Sequence, residues 1–330
     1  MQRLIFCRSV HPEALALLAA RSDVEAVFLS KDTPGVPMQR ELAEQIGGAF
    51  GVMIDVERVT ADLLARAPHL RAVAGFGVGY DKVDVAACTE RGVLVCMAFG
   101  ANDLAVAEHT MMLMLMVARR ATEYDASVRA GTWILQGGRR MHELAGRKVL
   151  VIGYGRIGTR VARLCTTFGM TAMVVDPAFP TPRIAADGHV PVKDVWAAIP
   201  EADVVTLHCP LDATTRGMVS REFLERMKPT AWLINTARGP IVDEDALATA
   251  LADGTIEAAG LDVLADEPAA ADNPLFRLPN VVLSPHNATE PQECFARVSR
   301  RAVMNLLDVI DGKIDPGFTV NPEVLGRNAA

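Results

Sequence analysis

The run Gly153-Tyr154-Gly155-Arg156-Ile157-Gly158 follows the apolar stretch VLVI and opens the helical pattern TRVARLCTTFG. A G-x-G-x-x-G run gains meaning from a strand before it and a helix after it, and this one has both. Gly153 permits the tight turn, Gly155 lets the backbone approach a pyrophosphate, and Gly158 lets the helix pack close on the strand. The helix N-terminus, with Arg156 and Ile157 in its first turn, offers unpaired N–H groups and the positive end of a dipole to phosphates. Asp176 lies 23 residues beyond Gly153, at the end of the next apolar run. A carboxylate there accepts from the ribose hydroxyls and repels a 2′-phosphate, which selects NAD over NADP. Pro177 and Ala178 supply no cation for that phosphate; Arg183 is the nearest reservation. The plainer readings are an ordinary strand-to-helix turn and a strand-end cap.

Three polar residues fall just past later apolar runs. Arg238 ends INTARGP, Glu267 lies in LDVLADEP, and His286 ends VVLSPHN. Reducing a carbonyl with a hydride needs a cation to fix a substrate carboxylate and an acid to protonate the oxygen. A guanidinium suits the first task, because its planar fork grips carboxylate and keeps its charge. An imidazole suits the second, because it titrates near neutrality. A carboxylate on the other ring nitrogen would favour the imidazolium and orient it. Singly, these residues read as a surface anchor, a solvated loop acid and a satisfied loop histidine. Their joint placement matters more, since open α/β sheets bind ligands at the C-terminal ends of strands. Asp262, ending IEAAGLD, is a candidate acceptor for the nicotinamide carboxamide, or a turn cap. His208, Pro210, Thr215 and Ala237 are further candidates for cofactor contact.

These residues need two sets of strands to hold them. Strand patterns occur at residues 3–7, 24–29, 49–54, 71–76 and 92–97, and again at 147–153, 170–176, 202–208, 231–237, 256–263 and 280–285. Helical patterns alternate with them, so the expected fold is α/β, with two open, mainly parallel, doubly wound domains. Leu104 to Ala118 is nearly all apolar but is short for a membrane span and is broken by Glu108 and His109, so it reads as a buried or interface helix. A loop is expected over 131–146. The tail contains one strong helical pattern, ECFARVSRRAVMNLLDVIDG, too short to fold alone.

Composition narrows the classes. The chain has 330 residues, 33 Lys+Arg against 40 Asp+Glu, and a net charge of −7; half is hydrophobic and 22% charged. A large core is affordable, and the absence of any basic run argues against a nucleic-acid binder. The N-terminus lacks an apolar core and cleavage site, and six scattered cysteines form no C-x-x-C pair, so the expectation is a reduced, cytoplasmic protein with no zinc framework.

With these residues in view, the chain resembles the NAD(P)-dependent D-isomer-specific 2-hydroxyacid dehydrogenases over nearly its whole length. The runs VIGYGRIGTRVA, LHCPLDATTRGMV, MKPTAWLINTARGPIVDEDALATAL, GLDVLADEP and LPNVVLSPH carry the resemblance. It implies that Arg238 binds substrate, Glu267 partners the histidine, and His286 is the general acid/base. The run AGFGVGYDKVD resembles the family's substrate-carboxylate loop, which gives the N–H groups of Val78 and Gly79 to the acid. The resemblance also implies a flavodoxin-like substrate domain from 1–99 plus 289–330 and a Rossmann NAD domain from 100–288. A ligand cleft between these domains and a homodimer built on the NAD domain are implied as well.

Some segments depart from the family pattern. Met97-Ala98-Phe99-Gly100 replaces N-x-P-G, and only Asn287-Ala288 separates His286 from Thr289. Phosphoglycerate dehydrogenases of this family carry an arginine near Ile54, and Asp55 would repel a phosphate. An unphosphorylated acid such as glyoxylate or hydroxypyruvate is therefore expected. The alternatives are an NAD-regulated corepressor-like binding protein, and phosphite or formate oxidation. Formate dehydrogenases pair the histidine with Gln rather than with a residue such as Glu267.

Overall fold

The computed structural model describes residues 1–29, 36–133 and 141–325. The chain divides into two compact units, Met1–Asn102 with Thr289–Ala330, and Asp103–Ala288.

The first unit is a five-stranded parallel sheet of β1 (Gln2–Phe6), β2 (Val24–Phe28), β3 (Gly51–Ile54), β4 (Ala72–Gly75) and β5 (Leu94–Met97), in the order β2-β1-β3-β4-β5. Strands covered on both faces read as unbroken apolar runs rather than alternations, and β3, β4 and β5 are buried at every position. The tail helix Gln292–Asp311 buries Val298, Ala302, Val303 and Leu306 against this sheet. It sits so close that a Cβ on Gly51 would meet a Leu306 methyl at 2.9 Å. Beyond the helix the chain follows the edge strand β5. There Asn321 accepts from the Val95 N–H (2.8 Å) and donates to the Val93 carbonyl (2.9 Å). Covering an edge strand in this way removes an open hydrogen-bonding row.

The second unit holds seven parallel strands, β6 (Lys148–Ile152), β7 (Thr171–Val175), β8 (Val190–Pro191), β9 (Val204–Leu207), β10 (Trp232–Asn235), β11 (Ala258–Leu261) and β12 (Val281–Leu283). Their order, β12-β11-β10-β9-β6-β7-β8, reverses direction between β6 and β9. The crevice beyond the carboxyl ends at such a reversal is where doubly wound sheets bind ligands. Every strand expected from sequence is present. The unexpected β8 has two residues, too few to show a period, and ends in a proline that only an edge strand tolerates.

The apolar segment forms helix Asp103–Arg119, whose Met111, Leu113, Met114 and Val117 enter the core. A Cβ on Gly260 of β11 would lie 3.1 Å from Leu113. A second helix, Ala121–Arg129, follows after Arg120 in the left-handed region, and was not expected. Among the described residues no helix is long and apolar enough to cross a membrane. Of the loop expected over 131–146, residues 134–140 lie outside the described residues.

Two backbone segments of this unit touch at Gly239, where a Cβ would lie 1.8 Å from the Leu264 carbonyl oxygen. Gly239→Ala must force them apart, and should cost about 2 kcal/mol or more in urea denaturation. A loss below about 0.5 kcal/mol would show that the contact is not tight.

Candidate active site

The reversal point is built from glycine backbone. Gly153 has φ +98°, and a Cβ there would meet the His208 carbonyl carbon at 2.5 Å. The ends of β6 and β9 are thus in van der Waals contact, and the His208 N–H donates to the Ile152 carbonyl (2.7 Å). A Cβ on Gly158 would lie 1.9 Å from the Gly153 oxygen, so the helix Arg156–Thr167 starts directly on the turn. Gly155 differs, because a Cβ there would meet nothing within 4 Å. The open side of the turn therefore lies over the helix N-terminus, the arrangement a pyrophosphate requires.

Asp176 closes the turn from the end of β7. One carboxylate oxygen accepts the Tyr154 N–H (2.6 Å) and the other accepts the Ala178 N–H (2.8 Å). These bonds aim the carboxylate and leave lone pairs for ribose hydroxyls. Arg183 lies with its guanidinium 5.4 Å from the Phe179 ring centre. Arg156 is exposed, and Ile157 is half-buried against the core. Past β9, Thr215 donates to the Pro210 carbonyl (2.6 Å), which folds the 210–215 loop on itself. Desolvation pushes the His208 imidazole down to about 3, and its Nε2 lies 2.9 Å from the Thr206 hydroxyl. The ring is neutral at physiological pH.

His286 Nδ1 and Glu267 Oε2 are 2.8 Å apart. Glu267 is also tied to its own loop, accepting the Leu264 N–H through Oε1 (3.2 Å). Glu244 steadies the same loop by accepting from the Ala265 N–H (2.7 Å) and the Asn273 side chain (2.6 Å). Arg238 follows β10, and Gly239 beside it is the residue pressed against Leu264. The arginine and glutamate loops are therefore neighbours. Buried Asn235 shapes the arginine turn, accepting the Ala237 N–H (3.0 Å) and donating to the Arg238 carbonyl (2.9 Å). Arg238 also donates from Nη1 to the Ala237 carbonyl (2.7 Å).

Asp262 does more than cap a turn. Its carboxylate accepts from Ser284 Oγ (2.6 Å) and from the N–H groups of Asn287 (3.1 Å) and Ala288 (3.2 Å), and lies 3.2 Å from His109 Nε2. Its carbonyl accepts the His286 N–H (2.7 Å). Burial opposes the charged form, but the bonds from His109 and Ser284 outweigh it and hold the carboxyl below its ordinary range. This grip on residues 284–288 fixes His286 at φ +52°, a conformation a non-glycine residue keeps only when its surroundings impose it.

In the first unit, Gly77 has φ +138° and the N–H groups of Val78 and Gly79 donate to no described backbone carbonyl. Met97 is not free to shape a pocket: it is 1% exposed, and its methyl fills the space where a Cβ on Gly75 would sit. Phe99 packs on the same core, whereas Trp133 is 62% exposed.

Residues 111–288 match the family model described as D-isomer specific 2-hydroxyacid dehydrogenase, NAD binding domain. A glyoxylate reductase of Aeropyrum pernix is 37% identical over 329 residues, covering 98% of this chain and 97% of that protein. The chain belongs to this family. It is an NAD-dependent oxidoreductase acting on the CH–OH/C=O pair of 2-hydroxy and 2-keto acids. A D-3-phosphoglycerate dehydrogenase of Methanocaldococcus jannaschii is 34% identical over 98% of this chain and 60% of that protein. Among solved structures, an Aquifex aeolicus D-lactate dehydrogenase complexed with NAD and lactic acid matches with TM-score 0.86 and 27% identity, over 97% of this chain and 99% of that one.

For a member of this dehydrogenase family, sequence reasoning left out four residues that hold the site: Tyr154, Asn235, His109 and Ser284. Tyr154 and Asn235 lay inside quoted motifs and carried a signal. Ser284 meets His109 (2.8 Å) across 175 positions, which no local pattern reports.

The neutral His208 links the site to acid stability. The unfolded chain binds a proton at His208 below about pH 6.5 and the folded chain does not until about pH 3, so stability falls as pH drops through that window. His208→Asn should flatten the slope of Tm against pH between 6.5 and 4. An unchanged slope would contradict the burial of a neutral ring.

Proposed function

We propose that this dehydrogenase reduces a small, unphosphorylated 2-keto acid, taking glyoxylate to glycolate or hydroxypyruvate to D-glycerate. The observation that carries the reading is the His286–Glu267 pair at 2.8 Å. With Nδ1–H given to Glu267, the protonated ring presents Nε2–H as the acid. Bound NADH supplies the hydride. His286 gives its proton to the carbonyl oxygen, Glu267 stabilises the imidazolium before that transfer, and Arg238 holds the substrate carboxylate. In the first unit, the N–H groups of Val78 and Gly79 are donors for a substrate carboxylate. Asp176 orients the adenosine ribose, Gly153, Gly155 and Gly158 admit the pyrophosphate, and Arg156, Ile157, His208, Pro210, Thr215 and Ala237 line the cofactor. The relative named glyoxylate reductase supports the substrate choice. So does buried Ile54, which stands at the end of β3 without a charge for a phosphate.

On this reading the first unit is the substrate domain and the second the NAD domain. The enzyme works as a cytoplasmic homodimer through the second unit, where Met112 and Phe168 are exposed along one apolar groove. Burial pushes the thiols up to about 12 for Cys88 and Cys165 and about 11 for Cys96 and Cys209, which suits inert, reduced cysteines.

The test is NADH consumption with glyoxylate, hydroxypyruvate, pyruvate, phenylpyruvate and 3-phosphohydroxypyruvate. Glyoxylate or hydroxypyruvate should be preferred, with NADH favoured over NADPH and Asp176→Ala eroding that preference. Arg238→Ala should raise KM and lower kcat, and His286→Ala should lower kcat about 100-fold or more. Silence across the panel, or wild-type kcat for His286→Ala in a chemistry-limited assay, would overturn the reading.

A further inference from the structure

Outside the machinery described above, the carboxyl ends of the neighbouring strands β1, β3 and β4 carry a compact charged cluster. Arg8 lies two residues past β1, Asp55 directly follows β3, and Phe76 directly follows β4. The Arg8 guanidinium lies 4.0 Å from the Phe76 ring centre and 5.5 Å from that of Phe295. It donates to Asp55 from Nη1 (3.0 Å) and to Glu290 from Nη2 (3.2 Å). Asp55 is held in turn, its N–H donating to buried Glu57 (2.9 Å). Cys7 adds no negative charge, because burial and Glu57 push its thiol further towards the neutral form.

Among the described residues, Arg8 is thus paired with two carboxylates, Asp55 and Glu290, and a third, Glu57, holds the Asp55 backbone. Its bonds to Asp55 and Glu290 use two of the guanidinium's five N–H groups. The cluster therefore offers hydrogen-bond donors without surplus positive charge. Phe76, on which Arg8 is stacked, is two residues before Val78, a separation of at most about 7 Å along the chain. A short acid whose carboxylate sits on the Val78 and Gly79 amides would bring its far end to the Phe76 and Arg8 side.

We propose that Arg8 is a specificity-determining residue that donates to a neutral oxygen on C3 of the keto acid, and that Asp55 and Glu290 bar an anionic group from the same place. The inference rests on the carboxylate role proposed above for residues 78 and 79. A phosphate carries close to two negative charges at neutral pH. Beside an arginine already matched to carboxylates it meets repulsion. Neutralising Asp55 would release a guanidinium able to grip phosphate bidentately.

The experiment compares kcat/KM for glyoxylate, hydroxypyruvate and 3-phosphohydroxypyruvate in the wild type, Arg8→Met, Arg8→Lys, Asp55→Asn and the Arg8→Met/Asp55→Asn double variant. In Arg8→Met the hydroxypyruvate-to-glyoxylate ratio should fall about tenfold, the worth of one hydrogen bond to a charged group. Arg8→Lys should fall less. In Asp55→Asn the phosphohydroxypyruvate-to-hydroxypyruvate ratio should rise about tenfold, and the double variant should lose that gain. Arg8→Lys and Asp55→Asn preserve shape, so they keep the test valid if Arg8→Met does not fold. Ratios unmoved in both conservative variants, while the wild type reduces glyoxylate, would overturn the role of Arg8 and leave the proposed function standing. A wild type inactive on all three acids would instead fail the proposed function itself.

Discussion

The candidate site depends most on one buried carboxylate. Asp262 is 1% exposed at the end of β11, where leaving a charge unpaired would cost several kcal/mol. It is not left unpaired: Ser284, His109 and two successive backbone N–H groups surround it. Satisfying that charge fixes the path of residues 284–288, and the Asp262 carbonyl takes the N–H of His286 as well. The imidazole is therefore placed by backbone, on a residue held at positive φ, and the Glu267 bond only has to set its ring.

Close backbone contacts supply the rest of the precision. At the sheet reversal, Gly153, Gly158 and His208 pack with no room for a side chain, whereas Gly155 has open space beside it. At the next pair of loops, Gly239 against Leu264 brings the arginine turn to the glutamate loop. These contacts join the ends of separate strands, so the site inherits the rigidity of the sheet rather than that of its loops. Catalysis by positioned acids and charges depends on that kind of preorganisation.

Much of this was readable from sequence, for a physical reason. Parallel strands buried on both faces must be written as apolar runs, and a loop that leaves such a strand at its carboxyl end places its first polar residues at the ligand edge. Arg238, His286 and Asp176 stand within three residues of a strand end, and Glu267 stands further along the loop after β11. What escaped was long-range or too short. The two residues of β8 show no period. His109 reads as a polar interruption of an apolar helix until the fold sets it 3.2 Å from Asp262. Asp262 was read as a cofactor contact or a turn cap, and the structure adds its hold on the histidine loop. Met97 stood out as a departure from the family pattern, and its side chain turns inward over Gly75. The sequence shows the substitution but not the direction of the side chain.

The central claim is that His286 and Glu267 act as one unit. It is tested most directly by a double-mutant cycle on kcat for keto-acid reduction, using Glu267→Gln, His286→Asn and the pair. If the glutamate works through the imidazole, the pair should be little worse than His286→Asn alone, because groups that act together are strongly non-additive. Losses that simply multiply would mean that the two residues contribute independently, and would contradict the account.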